Sequence, residues 1–359
     1  MALFDDTQAD ALLIGLLERY SPSTCERSAV EFLVERMAGL GFRAYIDGAG
    51  NAVGERGDGA QCMLLLGHID TVSGEIPVRR EGNLLYGRGA VDAKGPLAAF
   101  VAAAAQVAVP DGWRVVVVGA VEEEAATSKG ARFLLNRFAP AGVIIGEPSG
   151  WDALTTGYKG RLLVDYALAQ DVGHTAGPEI SVCEQAVAFW QTVVEETRRF
   201  NADKSRIFDQ LTPSLRQINS STDGMREHVE MTIGFRLPPG LDIDRWQGWL
   251  LSHAAGAQLA FRGCEVAFQG ERNHWLARAF VRALNAEGAQ ARFKVKSGTS
   301  DMNVVGPVWR CPIVAYGPGD SSLDHTPHEH IDLDEYHRAI RVLVRVLTAG
   351  VLPVNRSQV

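Results

Sequence analysis

An α/β architecture follows from three features of the sequence: a mixed, mostly parallel sheet sandwiched by helices, with a smaller α+β unit inserted into it. First, wholly apolar runs such as Met63-Leu64-Leu65-Leu66 and Val115 to Val118 have the pattern of strands buried on both faces. Second, these runs alternate with helix-period stretches, among them the Ala-rich Pro96 to Val107. Third, the rhythm changes after Lys159, where the order β-α-β-β-α-β is the split ferredoxin-like arrangement. The expected boundaries are 1–157 for the first part of the α/β domain, 158–270 for the insert and 271–359 for the second part.

Gln8 to Tyr20 carries apolar residues at helical spacing. Ser23, with Glu26 three residues on, predicts an N-cap for a helix from Arg27 to Leu40, which Gly41 stops. Phe42 to Ile46 and Asn51 to Gly54 are short strands about an Asp47-Gly48 turn. Met63 to Gly67 is the central strand, and Leu84 to Tyr86 is briefly extended. Arg114 to Val121 is a β-branched strand, Gly130 to Asn136 a helix and Gly142 to Gly146 a buried strand. In the insert, strand Arg161 to Gln170 precedes an amphipathic helix, Ser181 to Arg199. Paired strands Ser214 to Asn219 and His228 to Leu237 come next, then helix Asp244 to Gly256 and strand Gln258 to Gln269. Helix Asn273 to Ala286, strands Arg292 to Lys296 and Pro312 to Tyr316, and helix Glu335 to Leu347 resume the α/β pattern.

The formal net charge is −8 and no basic stripe exists, which argues against nucleic acid as a partner. The five cysteines are scattered without a CxxC pair, as in a reducing compartment. The first residues lack a basic-then-apolar leader, and no apolar run reaches about 18 residues. A cytoplasmic protein outside the membrane is expected.

Three apolar strands run into ligand-type residues: His68, Glu124 and Glu147. Loops add Asp92 and His325. In open α/β sheets ligands gather at the carboxyl ends of strands. Singly, such residues are otherwise a capped surface histidine, a solvated acidic loop, an ordinary turn or a surface histidine cluster. Together they suit two zinc-like ions sharing a carboxylate. Glu123 stands where a general base is needed, and Asp70 where a carboxylate would hold the second nitrogen of His68.

Five segments together resemble the dinuclear-zinc family of acetylornithine deacetylase, succinyl-diaminopimelate desuccinylase and carboxypeptidase-type enzymes. They are Gly67-His68-Ile69-Asp70-Thr71-Val72, Tyr86 to Gly95, Glu122-Glu123-Glu124, Gly146-Glu147-Pro148-Ser149 and His325-Thr326-Pro327-x-Glu329. The resemblance implies His68 and Glu147 on one ion, Glu124 and His325 on the other, Asp92 bridging, and Glu123 as base and then acid. It implies two divalent ions per subunit, with zinc first and cobalt or manganese also suited. It also implies a ferredoxin-like lid that forms a homodimer. Val172-Gly173-His174-Thr175-Ala176-Gly177 is similar to the family segment whose histidine stabilises the oxyanion. Arg236 matches an arginine that binds substrate carboxylate, and Ser297-Gly298-Thr299-Ser300-Asp301 a substrate-side loop.

Ser73 to Arg79, Val91-Asp92-Ala93-Lys94-Gly95 and Glu122 to Arg132 depart from the desuccinylase pattern. They look most like hydrolases that release lysine or ornithine from an amino-group carrier protein, whose C-terminal glutamate holds the amino acid through its γ-carboxyl. Such a carrier is expected to be acidic, which makes the locally basic Arg198 to Arg206 a candidate docking face. Deacylation of small N-acyl amino acids and a non-catalytic metal- or peptide-binding module are the alternatives. A pyridine-nucleotide enzyme is disfavoured, since no GxGxxG follows the early strands.

Overall fold

A computed structural model describes residues 5–174 and 176–350, the last two by their backbone alone. By internal contacts the chain divides into two units: 1–157 with 270–295 and 300–359, and 158–269 with 296–299.

The first unit opens with α1 (Asp6–Leu17), whose N-cap Asp5 and Gln8 form a reciprocal capping box. Then come α2 (Arg27–Gly39), β1 (Arg43–Ile46), β2 (Ala52–Arg56) and β3 (Gln61–His68). Two short strands, β4 (Arg79–Glu81) and β5 (Leu84–Tyr86), precede α3 (Lys94–Gln106). β6 (Trp113–Ala120), α4 (Lys129–Leu134), β7 (Gly142–Gly146) and β8 (Ala153–Tyr158) complete its first part.

The second unit holds β9 (Gly160–Asp171), α5 (Val182–Asn201), β10 (Thr212–Thr222), β11 (Arg226–Leu237), α6 (Ile243–Ser252), β12 (Gln258–Glu265) and the two-residue β13 (Phe268–Gln269). Its four-stranded antiparallel sheet has the order β10-β11-β9-β12. Leu162, Val164 and Tyr166 of β9 alternate inward with Ile233 and Phe235 of β11, against Phe189 of α5 and Trp246 of α6. The strand expected over Gln258 to Gln269 is split into β12 and β13.

The return adds α7 (Trp275–Ala286), β14 (Arg292–Lys296), α8 (Asp301–Trp309), β15 (Ile313–Ala315), β16 (His330–Asp332) and α9 (Leu333–Arg345). In the large sheet the order runs β1-β2-β6-β3-β7-β15-β8, with β14 also on β8. The middle four, β6, β3, β7 and β15, are parallel. β15 thus sets Val314 beside Ile144, so sequence from the far end of the chain completes the central sheet. α3 lies under these strands, with Leu97 to Ala104 all fully buried. Its small residues permit the close approach: a Cβ on Gly67 of β3 would stand 3.2 Å from Leu97 Cβ. α9 packs beside α3 and reaches α1, where Tyr336 Oη donates to Ala9 O and His337 Nε2 lies 2.7 Å from Asp10 Oδ1.

Two expectations need correcting. Ser23 does not cap α2; its hydroxyl donates to Asp70 Oδ2 at 2.7 Å, and the N-cap is Glu26, without a side-chain cap bond. The Ser297 to Asp301 segment, expected as a loop, runs into α8: Ser300 caps that helix by accepting from Met302 N.

Candidate metal centre

Parallel register assembles the site. β3, β6 and β7 run side by side with His68 opposite Ala120 and Gly67 opposite Gly146. Residues just beyond these positions therefore emerge at one sheet end. They are His68 itself, the Glu122-Glu123-Glu124 loop after β6 and Glu147 after β7. Asp92 comes from the turn before α3, where the Asp92–Ala93 peptide is cis. His325 lies on the loop before β16, at φ 62°.

Asp92 is the centre of the cluster. Its Oδ1 lies 3.1 Å from His68 Nε2, and its Oδ2 lies 3.0 Å from His325 Nε2. Glu147 Oε1 is 4.0 Å from His68 Nε2, and Glu124 Oε1 is 2.9 Å from His325 Nε2. Each half thus contains one imidazole, one private carboxylate and one oxygen of Asp92. Donor atoms sharing one tetrahedral ion at bonds of about 2.0–2.1 Å stand roughly 3.3 Å apart. The donor set and its spacing fit a divalent ion on each side. His68 is also in the tautomer a ligand needs. The Asp70 carbonyl 2.9 Å from Nδ1 can only accept, so Nδ1 carries a proton and Nε2, which faces Asp92, is the nitrogen open to an ion.

The electrostatics point the same way. Burial raises the Glu123 carboxyl well above the usual range; His68 opposes this, while Glu147, Asp301 and Glu124 add to it. Burial and then Asp92 raise Glu124. Asp92 and Glu124 push the His325 imidazole up to about 10. Burial would lower His68, but hydrogen bonds with Asp70 and Asp92 and the charge of Glu123 carry it well above its ordinary value. More carboxylates than imidazoles converge on this pocket, and a dication would neutralise the excess.

The carboxylate of Asp70 has a different main task from the one expected. Its nearest contact to His68 Nδ1 is 3.5 Å, longer than that of its own carbonyl. The carboxylate instead accepts from Ser23 Oγ, from Glu123 N and from Glu124 N, both amides at 3.0 Å. It therefore holds the backbone of the loop that bears Glu123 and Glu124. Burial works against ionisation of Asp70, and the nearby His68 imidazole with the hydrogen bonds from Ser23 and Glu123 N outweighs it.

Glu329 had no assigned role in the sequence reading, although it closes the His325-Thr326-Pro327-x-Glu329 motif. It is buried, its Oε1 accepts from Val91 N and Asp92 N, and its Oε2 pairs with Arg88 Nη1 at 2.9 Å. Arg88 also donates to Gly74 O and Thr326 O. This buried pair fixes the turn that presents Asp92. A glutamate four residues from a ligand-type histidine was the available signal.

Asp301 is buried as the first residue of α8 and is among the charges that act on Glu123. The remaining expected residues belong to the second unit. Arg236 Nη1 donates to Thr299 Oγ1 at 3.0 Å, and Thr299 Oγ1 donates to Lys159 O. Ser297 is exposed, and Gly298 has open space where a Cβ would go. His174 is exposed, and its Nδ1 accepts from Ala176 N; Thr175 of the same segment lies outside the described residues. In the basic stretch, Arg199, Lys204 and Arg206 pair with their neighbours Glu196, Asp203 and Asp209. These pairs offset part of its positive charge. Among the described residues, no helix is long and apolar enough to cross a membrane.

A strand-end cluster of two imidazoles and a shared carboxylate, on this α/β sheet, marks a metal-dependent amide hydrolase. The chain belongs to peptidase family M20/M25/M40, whose sequence profile matches residues 64–349. A protein of Deinococcus radiodurans named LysW-lysine hydrolase is 46% identical over 332 residues, covering 90% of this chain and 91% of that one. A Thermococcus kodakarensis protein named putative LysW-lysine/LysW-ornithine hydrolase is 39% identical over 332 residues, covering 92% and 89%. The fold is that of an M20 family metallo-carboxypeptidase from Sulfolobus solfataricus, with a TM-score of 0.74 at 20% identity over 95% of this chain and 98% of that one. It is also that of aminopeptidase PepT from Bacillus cereus, with a TM-score of 0.76 at 16% identity over 96% and 98%.

Proposed function

We propose that this chain releases L-lysine or L-ornithine from the γ-carboxyl of the C-terminal glutamate of an acidic amino-group carrier protein. The observation that carries the hydrolytic reading is Asp92, with its two oxygens turned to two different histidines. The substrate reading is supported by the names of relatives that share 46% and 39% of aligned residues over nine-tenths of the chain.

On this reading His68, Glu147 and Asp92 would hold one divalent ion and Glu124, His325 and Asp92 a second, zinc first. Ions bound there would acidify a water and polarise the scissile carbonyl. Glu123 takes the proton from the attacking water and hands it to the leaving amine nitrogen. Its raised proton affinity suits the second half of that task. Asp70 keeps Glu123 and Glu124 in place through their amides. His174 donates to the developing oxyanion. Arg236, seated on Thr299, grips the substrate carboxylate, with Ser297, Gly298 and Asp301 on the substrate side. The working form is a cytoplasmic homodimer joined through the second unit.

The test is a comparison of kcat/KM for carrier-linked lysine, carrier-linked ornithine and acetylornithine. Preference for a carrier-linked substrate is expected. Preference for acetylornithine would replace this reading with that of a small-molecule deacylase.

A further inference from the structure

The loop between β6 and α4 carries Glu123 and Glu124 yet has no regular structure. It begins and ends under constraint, since Glu122 at φ 58° and Ser128 at φ 41° both occupy the left-handed region. Lys129 and Arg132 of α4 reach back to Glu122 Oε1 and Thr127 O, but the amides of Val121 to Glu124 lie in no ladder or helix. Instead, four successive amides point at side-chain oxygens from three distant segments. Val121 N donates to Asn51 Oδ1 at 3.0 Å and Glu122 N to Glu26 Oε1 at 3.2 Å. Glu123 N and Glu124 N donate to the two oxygens of Asp70.

Asn51 alone among these acceptors holds both ends of the loop. Its Oδ1 takes the Val121 amide, and its Nδ2 donates to Gly130 O at 3.2 Å. Between those ends Gly130 N donates to Val121 O at 3.0 Å, so the loop is closed at its neck. Asn51 is itself fixed. Its Nδ2 also donates to Asp47 Oδ2 at 2.9 Å, and Asp47 Oδ1 accepts the Ala49, Gly50 and Asn51 amides. The side chain is fully buried. Gly130 leaves room for it: a Cβ there would lie 2.4 Å from Asn51 Oδ1 and 2.6 Å from Val121 N.

We propose that Asn51 is a positioning residue that sets the span of the Val121–Gly130 loop and so aims Glu123 and Glu124. The inference rests on the reading of Glu123 as general base and Glu124 as metal ligand. Only a carboxamide can serve this neck. A carboxylate would turn an oxygen on Gly130 O and Asp47 Oδ2, and an aliphatic side chain would take from the buried Val121 N its Asn51 partner and from Gly130 O the bond that ties it to the Asp47 turn.

The experiment uses the full-length protein loaded with Co²⁺. It compares wild type, Asn51→Leu, Asn51→Asp and Gly130→Ala, with Leu284→Ala in α7 as a control for loss of stability. The visible Co²⁺ spectrum, the affinity of each Co²⁺ equivalent by chelator competition, and kcat and KM on whichever amide the wild type hydrolyses fastest are measured. In the Asn51 and Gly130 variants one equivalent should bind about 10–100-fold more weakly, with a changed spectrum and a fall in kcat larger than any rise in KM. Leu284→Ala should lower the melting temperature and leave spectrum and affinities unchanged. If the Asn51 and Gly130 variants bind both equivalents with the wild-type spectrum and affinity, the neck is merely structural and the inference is overturned. If one variant does not fold, the other two decide. A wild type that takes up no pair of Co²⁺ ions would overturn the site reading and the inference together. A preference for acetylornithine would overturn only the substrate reading.

Discussion

Asp92 is a single side chain whose two oxygens serve different partners, and that division explains why the site needs an aspartate in a rigid turn. The turn is held by Glu329, which is ion-paired to Arg88 with almost no solvent. Glu329→Gln should keep the contacts to Val91 N and Asp92 N in part but leave Arg88 buried without its counter-charge. Losing one partner of such a pair destabilises by about 3–5 kcal/mol. A melting temperature and Co²⁺ affinity both equal to wild type would contradict the assigned role. Glu123→Gln is expected to behave differently. It should retain two equivalents of metal, measured by elemental analysis, while kcat falls by at least about 10²-fold. The ligand-type residues were legible because each follows an apolar strand or a motif glycine in sequence. Asn51, Glu26 and Ser23 were not, because their partners stand tens of residues away and only the folded sheet brings them together.

Among elements, the buried central strands and α3 were legible because uninterrupted Val, Ile, Leu and Ala runs leave little alternative. α8 was not, because Gly306 and Pro307 interrupt its sequence pattern, and the structure tolerates them only within a nine-residue helix. β8 was not, because Ala-Leu-Thr-Thr-Gly-Tyr carries no apolar run, though every residue of it is buried. Between β8 and β9, Lys159 shows what burial does to a charged group. Its Nζ donates to Ile207 O, Gln210 O and Thr212 Oγ1, so it ties the strand to the 207–212 turn. Burial and then the charge of Arg236 bring the ammonium down to about 8, against Asp209. An unfolded lysine titrates near 10.4. Between about 8 and 10.4 the unfolded chain therefore holds more protons than the folded one, and stability rises with pH. Below about 8 the penalty is constant, on the order of 3 kcal/mol. Urea unfolding of wild type and Lys159→Met across pH 7–10.5 checks this. The wild type should gain on the variant as pH rises, and parallel curves would refute the shift.

For the molecule as a whole, a net charge of −8 would repel the acidic carrier of the proposed function, so any attraction between them must be local. Because Arg199 and Lys204 already pair with Glu196 and Asp203, reversing Arg198, Arg199 and Lys204 together should leave low-salt turnover nearly unchanged. A large drop would restore that stretch as the docking face. The two ions should also leave unequally. The His325 side chain is 50% exposed and that of His68 only 2%, so the ion on Glu124 and His325 should exchange first on chelation. Turnover should fall with the loss of that first equivalent and return on adding Zn²⁺ or Co²⁺; loss of both at one rate would contradict it. The joining of sequence-distant segments in the first unit has a consequence during synthesis. β15, which extends the central sheet, and α9, which packs on α1, leave the ribosome only after the 158–269 segment. The second unit is almost continuous in sequence and can close as soon as residue 269 emerges. The first unit must wait for His325 and α9. A nascent chain arrested before Pro312 should therefore carry a protease-resistant second unit beside an unfinished first one.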